Sequence, residues 1–166
     1  MQTDVLAELK ALRLHGMAQA WGELQAQGNH HGLQTEGWLI EHLLRAEHAE
    51  RHMRSIAHQM KSARFPLHRD LAGFEFTGSV VDRSLVEQLS DLSFTEAAHN
   101  VVLIGGPGTG KTHLAIALGV AGVTRQSRRV RFYSTVDLVN ALEQEKAQGK
   151  AGRIAAALLR GELVVR

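Results

Sequence analysis

Cysteine is absent from the 166-residue chain, and proline and tyrosine occur only twice and once. Without cysteine the chain can form neither a disulfide nor a thiolate zinc site, which fits a reducing compartment. No stretch approaches the length of apolar sequence that spans a membrane, and residues 1–4 lack the charged and then apolar pattern of a signal peptide. We therefore expect a soluble, cytoplasmic protein.

The charge of the chain is unevenly distributed, although the net charge is only +2. Residues 51–69 contain five basic side chains, three histidines and no acid, whereas residues 70–100 contain six acids and one arginine. The five basic residues are Arg51, Arg54, Lys61, Arg64 and Arg69. They could neutralise the phosphates of nucleic acid, but a solvated helix face would show the same pattern.

Residues 101–118 carry the strongest functional signal. Four apolar residues at 101–104 predict a buried strand, the next residues match Gly-x-x-x-x-Gly-Lys-Thr, and an apolar pattern at helical spacing follows. A motif of this kind between a strand and a helix indicates a phosphate-binding loop. The predicted nucleotide-binding residues are Gly105, Gly106, Pro107, Gly108, Thr109, Gly110, Lys111 and Thr112.

The residue types in this loop suit a phosphate chain. Gly105, Gly108 and Gly110 allow backbone conformations in which consecutive N–H groups point at the phosphates. Lys111 supplies a positive charge for the β- and γ-phosphates, and the Thr112 hydroxyl can bind Mg²⁺. The positive end of the helix dipole adds to the attraction. The loop therefore predicts ATP and Mg²⁺ as ligands.

The beginning of the chain is predicted to be helical. Apolar residues at three- and four-residue intervals indicate one helix over residues 3–27, with local weakening at Gly16 and Gly22. A turn containing two glycines at residues 28–32 then breaks the pattern.

A second helix is predicted from a cap at Thr35 to about residue 63, because Phe65-Pro66 disfavours helical geometry beyond that point. The two helices are expected to form an antiparallel pair. The expected buried side of the second helix comprises Trp38, Leu39, Leu43, Leu44, Met53, Ile56 and Met60. A connector follows at residues 65–100, with a short helix at residues 84–92 and with Phe74, Phe76 and Phe94 as expected anchors.

Strands and helices are predicted to alternate after the loop helix. The predicted elements are a strand at 128–134, a helix capped by Thr135 and ended near Gly149 and Gly152, a helical piece at 154–159 and a strand at 162–165. The first of these helices is expected to bury Leu138, Val139 and Leu142. The predicted fold class is therefore α/β, with a helical N-terminal region followed by the first half of a nucleotide-binding domain.

Five segments of the chain resemble the IstB-type ATP-binding helpers of DNA transposition. They are NVVLIGGPGTGKTHLAIALG at residues 100–119, VDLVNALEQE at 136–145, LKALRLHGMAQAW at 9–21, ARFP at 63–66 and FEF at 74–76. Because a phosphate-binding loop alone occurs in many unrelated proteins, the other four segments carry the specificity. The resemblance covers nearly the whole chain.

The resemblance implies an AAA+ ATPase that assembles as a homo-oligomer on duplex DNA, without sequence preference and in an ATP-dependent way, and that acts with a partner transposase. It implies a helical region for DNA or partner contacts at residues 1–64, a connector at 65–100 and a partial P-loop domain at 101–166. The DnaC-type loaders of replicative helicases use the same kind of ATPase domain, so that function stays open as an alternative.

In that family the strand at 163–165 should end in two acidic residues, one that aids Mg²⁺ and one that orients the attacking water. Aligned on this strand they would follow Arg166, so we assign no catalytic residue and expect nucleotide binding to exceed hydrolysis. The AAA+ strand order would also leave the first strand without its neighbours, which predicts exposed strand edges and marginal stability. An inactive remnant of such an ATPase and, less well supported, a small-molecule P-loop kinase stay open.

Other polar residues are interpreted as structural. His48 and His52 lie one helical turn apart, but no third ligand is in register, so no metal site is predicted. His113 is expected to make a local packing or polar contact, and Asp137 and Glu143 are expected to be surface charges. Contact with DNA, contact with a neighbouring subunit and a solvated turn stay open for a cluster of four arginines, Arg125, Arg128, Arg129 and Arg131.

Overall fold

The computed structural model describes residues 4–26 and 36–165, which form seven α-helices and two β-strands. The helices are α1 (Val5–Ala11), α2 (His15–Ala26), α3 (Glu36–Ala63), α4 (Arg83–Leu89), α5 (Lys111–Gln126), α6 (Thr135–Ala147) and α7 (Arg153–Leu158), and the strands are β1 (Val130–Phe132) and β2 (Leu163–Val165). The predicted turn at residues 28–32 and the cap at Thr35 lie outside the described residues. No helix in the described ranges is long and apolar enough to cross a membrane.

Contacts divide the chain into two compact units, with the boundary after Ser55. Helix α3 contributes residues to both units. The division into residues 1–64, 65–100 and 101–166 stays a prediction.

The first unit begins with two helices in place of the single helix predicted over residues 3–27, so that prediction is wrong. The side chain of Asp4 caps α1 by accepting two hydrogen bonds from N–H groups of the first turn. Shortly after the end of α1, Arg13 takes a left-handed conformation with φ 59°, which interrupts the helical path before α2. Gly16 and Gly22, where weakening was expected, both lie inside α2.

Glu47 of α3 caps the start of α2. Its buried carboxylate accepts hydrogen bonds from the N–H groups of Gly16 (2.9 Å) and Met17 (3.2 Å). These are the second and third residues of α2, whose N–H groups have no partner within the helix. A Cβ atom on Gly16 would be 2.4 Å from the carbonyl oxygen of Ala46, so this close approach of the two helices requires glycine.

Helix α3 confirms the predicted second helix and ends before Phe65-Pro66, as expected. Its predicted buried side is partly wrong, because Leu43 is buried but Leu44 and Met53 are 46% and 63% exposed. Leu44 follows Leu43 by one residue and is therefore rotated by about 100° from the buried face of the helix. The other four predicted residues are partly buried.

Strands β1 and β2 form a parallel sheet in the second unit, with Val130 opposite Leu163 and Phe132 opposite Val165. Both strands were predicted, and their parallel pairing across the intervening helices confirms the α/β fold class. Helix α5 packs on both strands, and the buried core there contains Ala63, Val123, Val130 and Val165. This packing holds the start of α5 beside the sheet.

Residues 101–104 do not form the predicted buried strand, so that prediction is wrong. Val102 and Ile104 are 76% and 92% exposed, and the sheet in the described part of the chain contains β1 and β2 alone. A strand is defined by hydrogen bonds to a neighbour, and no described strand pairs with these residues. A groove of about 800 Å³ is instead lined by residues 101–103 and by β2.

The connector contains the predicted short helix as α4, which begins after the cap residue Asp82. The three predicted anchors, Phe74, Phe76 and Phe94, are partly buried. Phe74 and Phe76 pack edge to face, with ring centroids 4.7 Å apart. The anchoring role predicted for Phe74 and Phe76 is therefore supported by their mutual packing, and that of Phe94 stays a prediction.

Helix α6 differs from prediction in its cap and in its buried side. Ser134, and not Thr135, caps the helix. Val139 and Leu142 are 47% and 41% exposed, and Leu138 is partly buried. The buried residue of α6 is the polar Glu145.

Glu145 repeats the arrangement seen at Glu47. Its carboxylate accepts hydrogen bonds from the N–H groups of Arg153 (2.6 Å) and Ile154 (3.2 Å) at the start of α7. Gly149 and Gly152 have φ values of 66° and 105° between the two helices, as their predicted role at the helix end requires. One buried glutamate therefore caps a neighbouring helix in each unit.

Candidate nucleotide-binding loop

The glycine-rich loop leads directly into α5, and its backbone depends on glycine at two positions. Gly108 and Gly110 have φ values of 75° and 82°, in the left-handed region that other residues rarely adopt. Gly110 is the N-cap of α5 and offers no side chain to cap it. The first N–H groups of α5 are therefore not used by a capping side chain, and the positive end of the helix dipole lies at the loop.

Lys111 and Thr109 close the loop through one carbonyl oxygen. The ammonium of Lys111 donates a hydrogen bond to the carbonyl oxygen of Gly106 (2.5 Å), and the Thr109 hydroxyl donates to the same oxygen (2.9 Å). The Lys111 Nζ atom also lies 3.4 Å from Thr109 Oγ1. The ammonium of Lys111, the one cationic side chain of the motif, is thus bonded to the backbone of the loop.

All eight predicted residues lie in this loop and in the first turn of α5. Residues 105–109 and Thr112 are exposed, whereas Lys111 is partly buried. The Thr112 hydroxyl lies on the second residue of α5, beside the lysine. An exposed hydroxyl oxygen at this place has the hard-donor character that Mg²⁺ prefers.

The connector forms part of the same site, which the sequence did not predict. His113 Nε2 lies 2.9 Å from the carbonyl oxygen of Asp70, and the Phe74 ring stands edge-on to the imidazole with centroids 5.3 Å apart. A Cβ atom on Gly110 would be 2.5 Å from the Phe74 ring. His113 makes both a polar and a packing contact, whereas a local contact of either kind was expected. The contacts are not local in the sequence, and no sequence pattern indicates the partners because they lie about forty residues away.

The four arginines of the cluster, one in the last turn of α5 and three after it, make contacts within the chain. Arg125 donates a hydrogen bond to the Ser90 hydroxyl, and Arg128 donates to Glu96 and Glu162. The backbone N–H of Arg129 donates to the Glu162 carboxylate, and the Arg131 side chain donates to the Ser62 carbonyl oxygen. The hydrogen bond from the Arg129 N–H is the main cause that lowers the pKa of Glu162. Contact with DNA, contact with a neighbouring subunit and a solvated turn all stay open for this cluster, since Arg125 and Arg129 are exposed while Arg128 and Arg131 are partly buried.

The basic residues of 51–69 fall into two groups. Arg51 pairs with Glu47 (2.7 Å) and Arg54 with Glu50 (3.2 Å) along α3. The remaining three, Lys61, Arg64 and Arg69, are exposed and have no ion pair with any residue that the structure describes.

The other candidate polar residues lie away from the loop in sequence. His48 and His52 are exposed on α3, and the described residues contain no group of three potential metal ligands. Asp137 and Glu143 are exposed on α6, which confirms their interpretation as surface charges.

A glycine-rich loop, a helix that starts at the motif lysine and a parallel sheet against that helix define an α/β protein of the P-loop class. Residues 7–166 match the family described as IstB-like ATP binding protein. The chain belongs to this family. The resemblance inferred from the five sequence segments is therefore confirmed.

Individual relatives come from bacterial insertion sequences. The chain is 34% identical over 140 residues to the putative ATP-binding protein of insertion sequence IS5376 from Geobacillus stearothermophilus. The matched segment covers 84% of this chain and 55% of that relative. The chain is 40% identical over 111 residues to the corresponding protein of IS21 from Pseudomonas aeruginosa, with 66% and 42% covered. The chain thus spans about half the length of these relatives.

Proposed function

We propose that the chain binds ATP with Mg²⁺ at residues 105–112. The observation that carries this proposal is the loop geometry, in which two left-handed glycines precede an uncapped helix start and the Lys111 ammonium lies inside the loop. Phosphate oxygens would accept hydrogen bonds from the loop N–H groups and from Lys111. The Thr112 hydroxyl would bind Mg²⁺, whose charge offsets that of the phosphates.

The test is a titration of the chain with a fluorescent ATP analogue and Mg²⁺. Lys111→Ala should weaken binding by at least tenfold, because a charged hydrogen bond contributes about 1.5–3 kcal/mol. The matched control is Lys146→Ala, which removes an exposed lysine from α6. Equal affinity of the chain and Lys111→Ala would contradict the proposed site.

The cellular role that we propose is that of an ATP-binding helper in DNA transposition, which contacts duplex DNA and a transposase and assembles as a homo-oligomer. The support is membership of the family together with the insertion-sequence context of its relatives. A role on DNA would place the protein in the cytoplasm. Capture of a transposase with the chain, rather than a replicative helicase, would separate this role from that of a helicase loader.

Lys61, Arg64 and Arg69 are the proposed DNA-contacting residues. Arg51 and Arg54 are already neutralised by carboxylates one helical turn away, so they contribute less charge to a phosphate backbone. The cluster of Arg125, Arg128, Arg129 and Arg131 is held by contacts within the second unit. Exposed charges without such partners are the ones free to displace counterions from DNA.

The test is the salt dependence of binding to a duplex of arbitrary sequence. Replacing Lys61, Arg64 and Arg69 together by glutamine should lower the slope of log affinity against log salt by about three, since each phosphate contact contributes about 0.9. Binding of the ATP analogue should be unchanged. The control variant replaces three arginines that already form ion pairs, Arg45, Arg54 and Arg83, by glutamine. It should change the slope less than the first triple variant does. An unchanged slope in the first triple would contradict these three contacts.

A further inference from the structure

Residues 70–76 form a turn that packs directly on the phosphate-binding loop. The Asp70 side chain accepts a hydrogen bond from the Gly73 N–H (2.8 Å), and the Phe74 N–H donates to the Leu71 carbonyl oxygen (3.3 Å). This turn presents the Asp70 carbonyl oxygen to His113 and the Phe74 ring to Gly110. It therefore touches the last loop residue and the first turn of α5 at the same time.

The bond between His113 and Asp70 has a defined direction. A backbone carbonyl oxygen can only accept a hydrogen bond, so His113 Nε2 must carry the proton and donate it. The neutral Nε2–H tautomer and the imidazolium both satisfy this requirement. The edge-on contact with Phe74 further limits rotation of the imidazole.

We propose that His113 is a positioning residue for nucleotide binding, which fastens the 70–76 turn to α5 so that Phe74 holds Gly110 in its left-handed conformation. Gly110 is the N-cap of α5, and its conformation sets the direction of the N–H groups that follow it. A loop held in this conformation before the nucleotide arrives loses less entropy on binding. The inference rests on the proposed nucleotide binding at residues 105–112.

Four variants test the role of the His113 donor. His113→Leu keeps an apolar side chain against Phe74 but removes the donor, whereas His113→Gln places an amide nitrogen near the position of Nε2. His113→Asn carries a donor that is too short to reach Asp70. The matched control is His58→Leu, which removes an exposed histidine from α3 in the same unit.

Two measurements are made on each variant: affinity for the fluorescent ATP analogue with Mg²⁺, and amide hydrogen exchange at Gly73 and Phe74 without nucleotide. We expect His113→Leu to weaken ATP affinity about tenfold and to speed exchange at both amides by a similar factor. His113→Gln should restore both values to within about threefold of the original chain, because it restores the donor. His58→Leu should change neither value.

The outcomes separate this inference from the proposed function. If the original chain binds ATP and His113→Leu binds it equally well, the inference is wrong and the proposed function stands. If His113→Gln is as weak as His113→Leu, the hydrogen bond is not the cause and the inference is also wrong. If the original chain does not bind ATP, both are wrong. If His113→Leu does not fold, the ATP affinities of His113→Gln and His113→Asn are compared instead. Equal affinities of these two variants would overturn the inference.

Discussion

Replacing Glu47 by glutamine should destabilise the first unit by about 2–4 kcal/mol. The Glu47 side chain is 7% exposed, and one of its oxygens accepts from Gly16 and Met17 while the other accepts from Arg51. The glutamine amide has one accepting oxygen, so its NH₂ group must face at least one of these donors. Loss of a hydrogen bond to a charged group costs about 1.5–3 kcal/mol, and loss of negative charge at the start of α2 adds about 0.3–1 kcal/mol.

The chain offers a specific assay for this change. Its two tryptophans, Trp21 and Trp38, both belong to the first unit, so urea unfolding followed by tryptophan fluorescence reports on that unit. The matched control is Glu50→Gln, since Glu50 is exposed enough that its pair with Arg54 contributes little. ATP binding in the second unit should be unaffected by either substitution.

The effect of Glu47→Gln should also depend on pH. Burial alone would raise the pKa of Glu47, but hydrogen bonds from the Arg51 side chain and from the N–H groups of Met17 and Gly16 outweigh it and hold the pKa below its ordinary value. The stabilisation by the carboxylate is therefore complete above the pKa of an unfolded glutamate, about 4.3, and is lost as the pH falls through the lower folded pKa. Equal unfolding midpoints at pH 7, or a difference that persists unchanged to pH 3, would refute this reasoning.

Three further predictions concern stability. Gly122→Ala should destabilise the second unit by about 1–3 kcal/mol, because the new Cβ would be 2.7 Å from Cδ1 of the fully buried Leu92. Gly22→Ala should instead stabilise α2 by about 0.5–1 kcal/mol, because its Cβ would meet nothing within 4 Å. Thermal unfolding of both variants measures the two changes in stability. Glu162→Gln should cost less than about 1 kcal/mol, since the side chain is 35% exposed and solvent screens its charge. The pKa of Glu162 is lowered, chiefly by the Arg129 N–H, so this cost should vanish as the pH falls through the folded pKa; a cost that is the same at pH 7 and pH 3 would speak against it.

Features with a local physical cause could be predicted from the sequence. The loop and the helix that follows depend on glycines and on a short motif, and α3, β1 and β2 each follow from their own apolar pattern and flanking residues. The family could also be predicted because its segments are spread along the chain. For the loop, the helices and the strands, neighbouring residues contain the whole signal, whereas the family signal is the sum of separate segments.

Features that depend on distant partners could not be predicted. Residues 101–104 have the apolar composition of a buried strand, but a strand also requires a neighbour with which to exchange hydrogen bonds. The expectation that this strand lacks its neighbours came from the family resemblance and not from the residues of the segment. The capping role of Glu47 depends on a contact across 31 residues, and the 70–76 turn reaches His113 across 43 residues. A glutamate in a helix that is otherwise rich in charged residues gives no sign that it will be buried.

The hydrogen bond between the Lys111 ammonium and the Gly106 carbonyl oxygen makes the lysine an internal competitor for its own site. A phosphate group at the proposed site would bind the Lys111 ammonium only after this hydrogen bond breaks. The affinity for phosphate would therefore reflect the difference in free energy between the contacts of the ammonium with phosphate and its contact with Gly106. A small anion, which offers few contacts in exchange, should therefore bind weakly. At the proposed site, a nucleotide that also accepts hydrogen bonds from the loop N–H groups would recover the free energy lost when this bond breaks. The loop would then discriminate by the number of contacts that a ligand can make and not by charge alone.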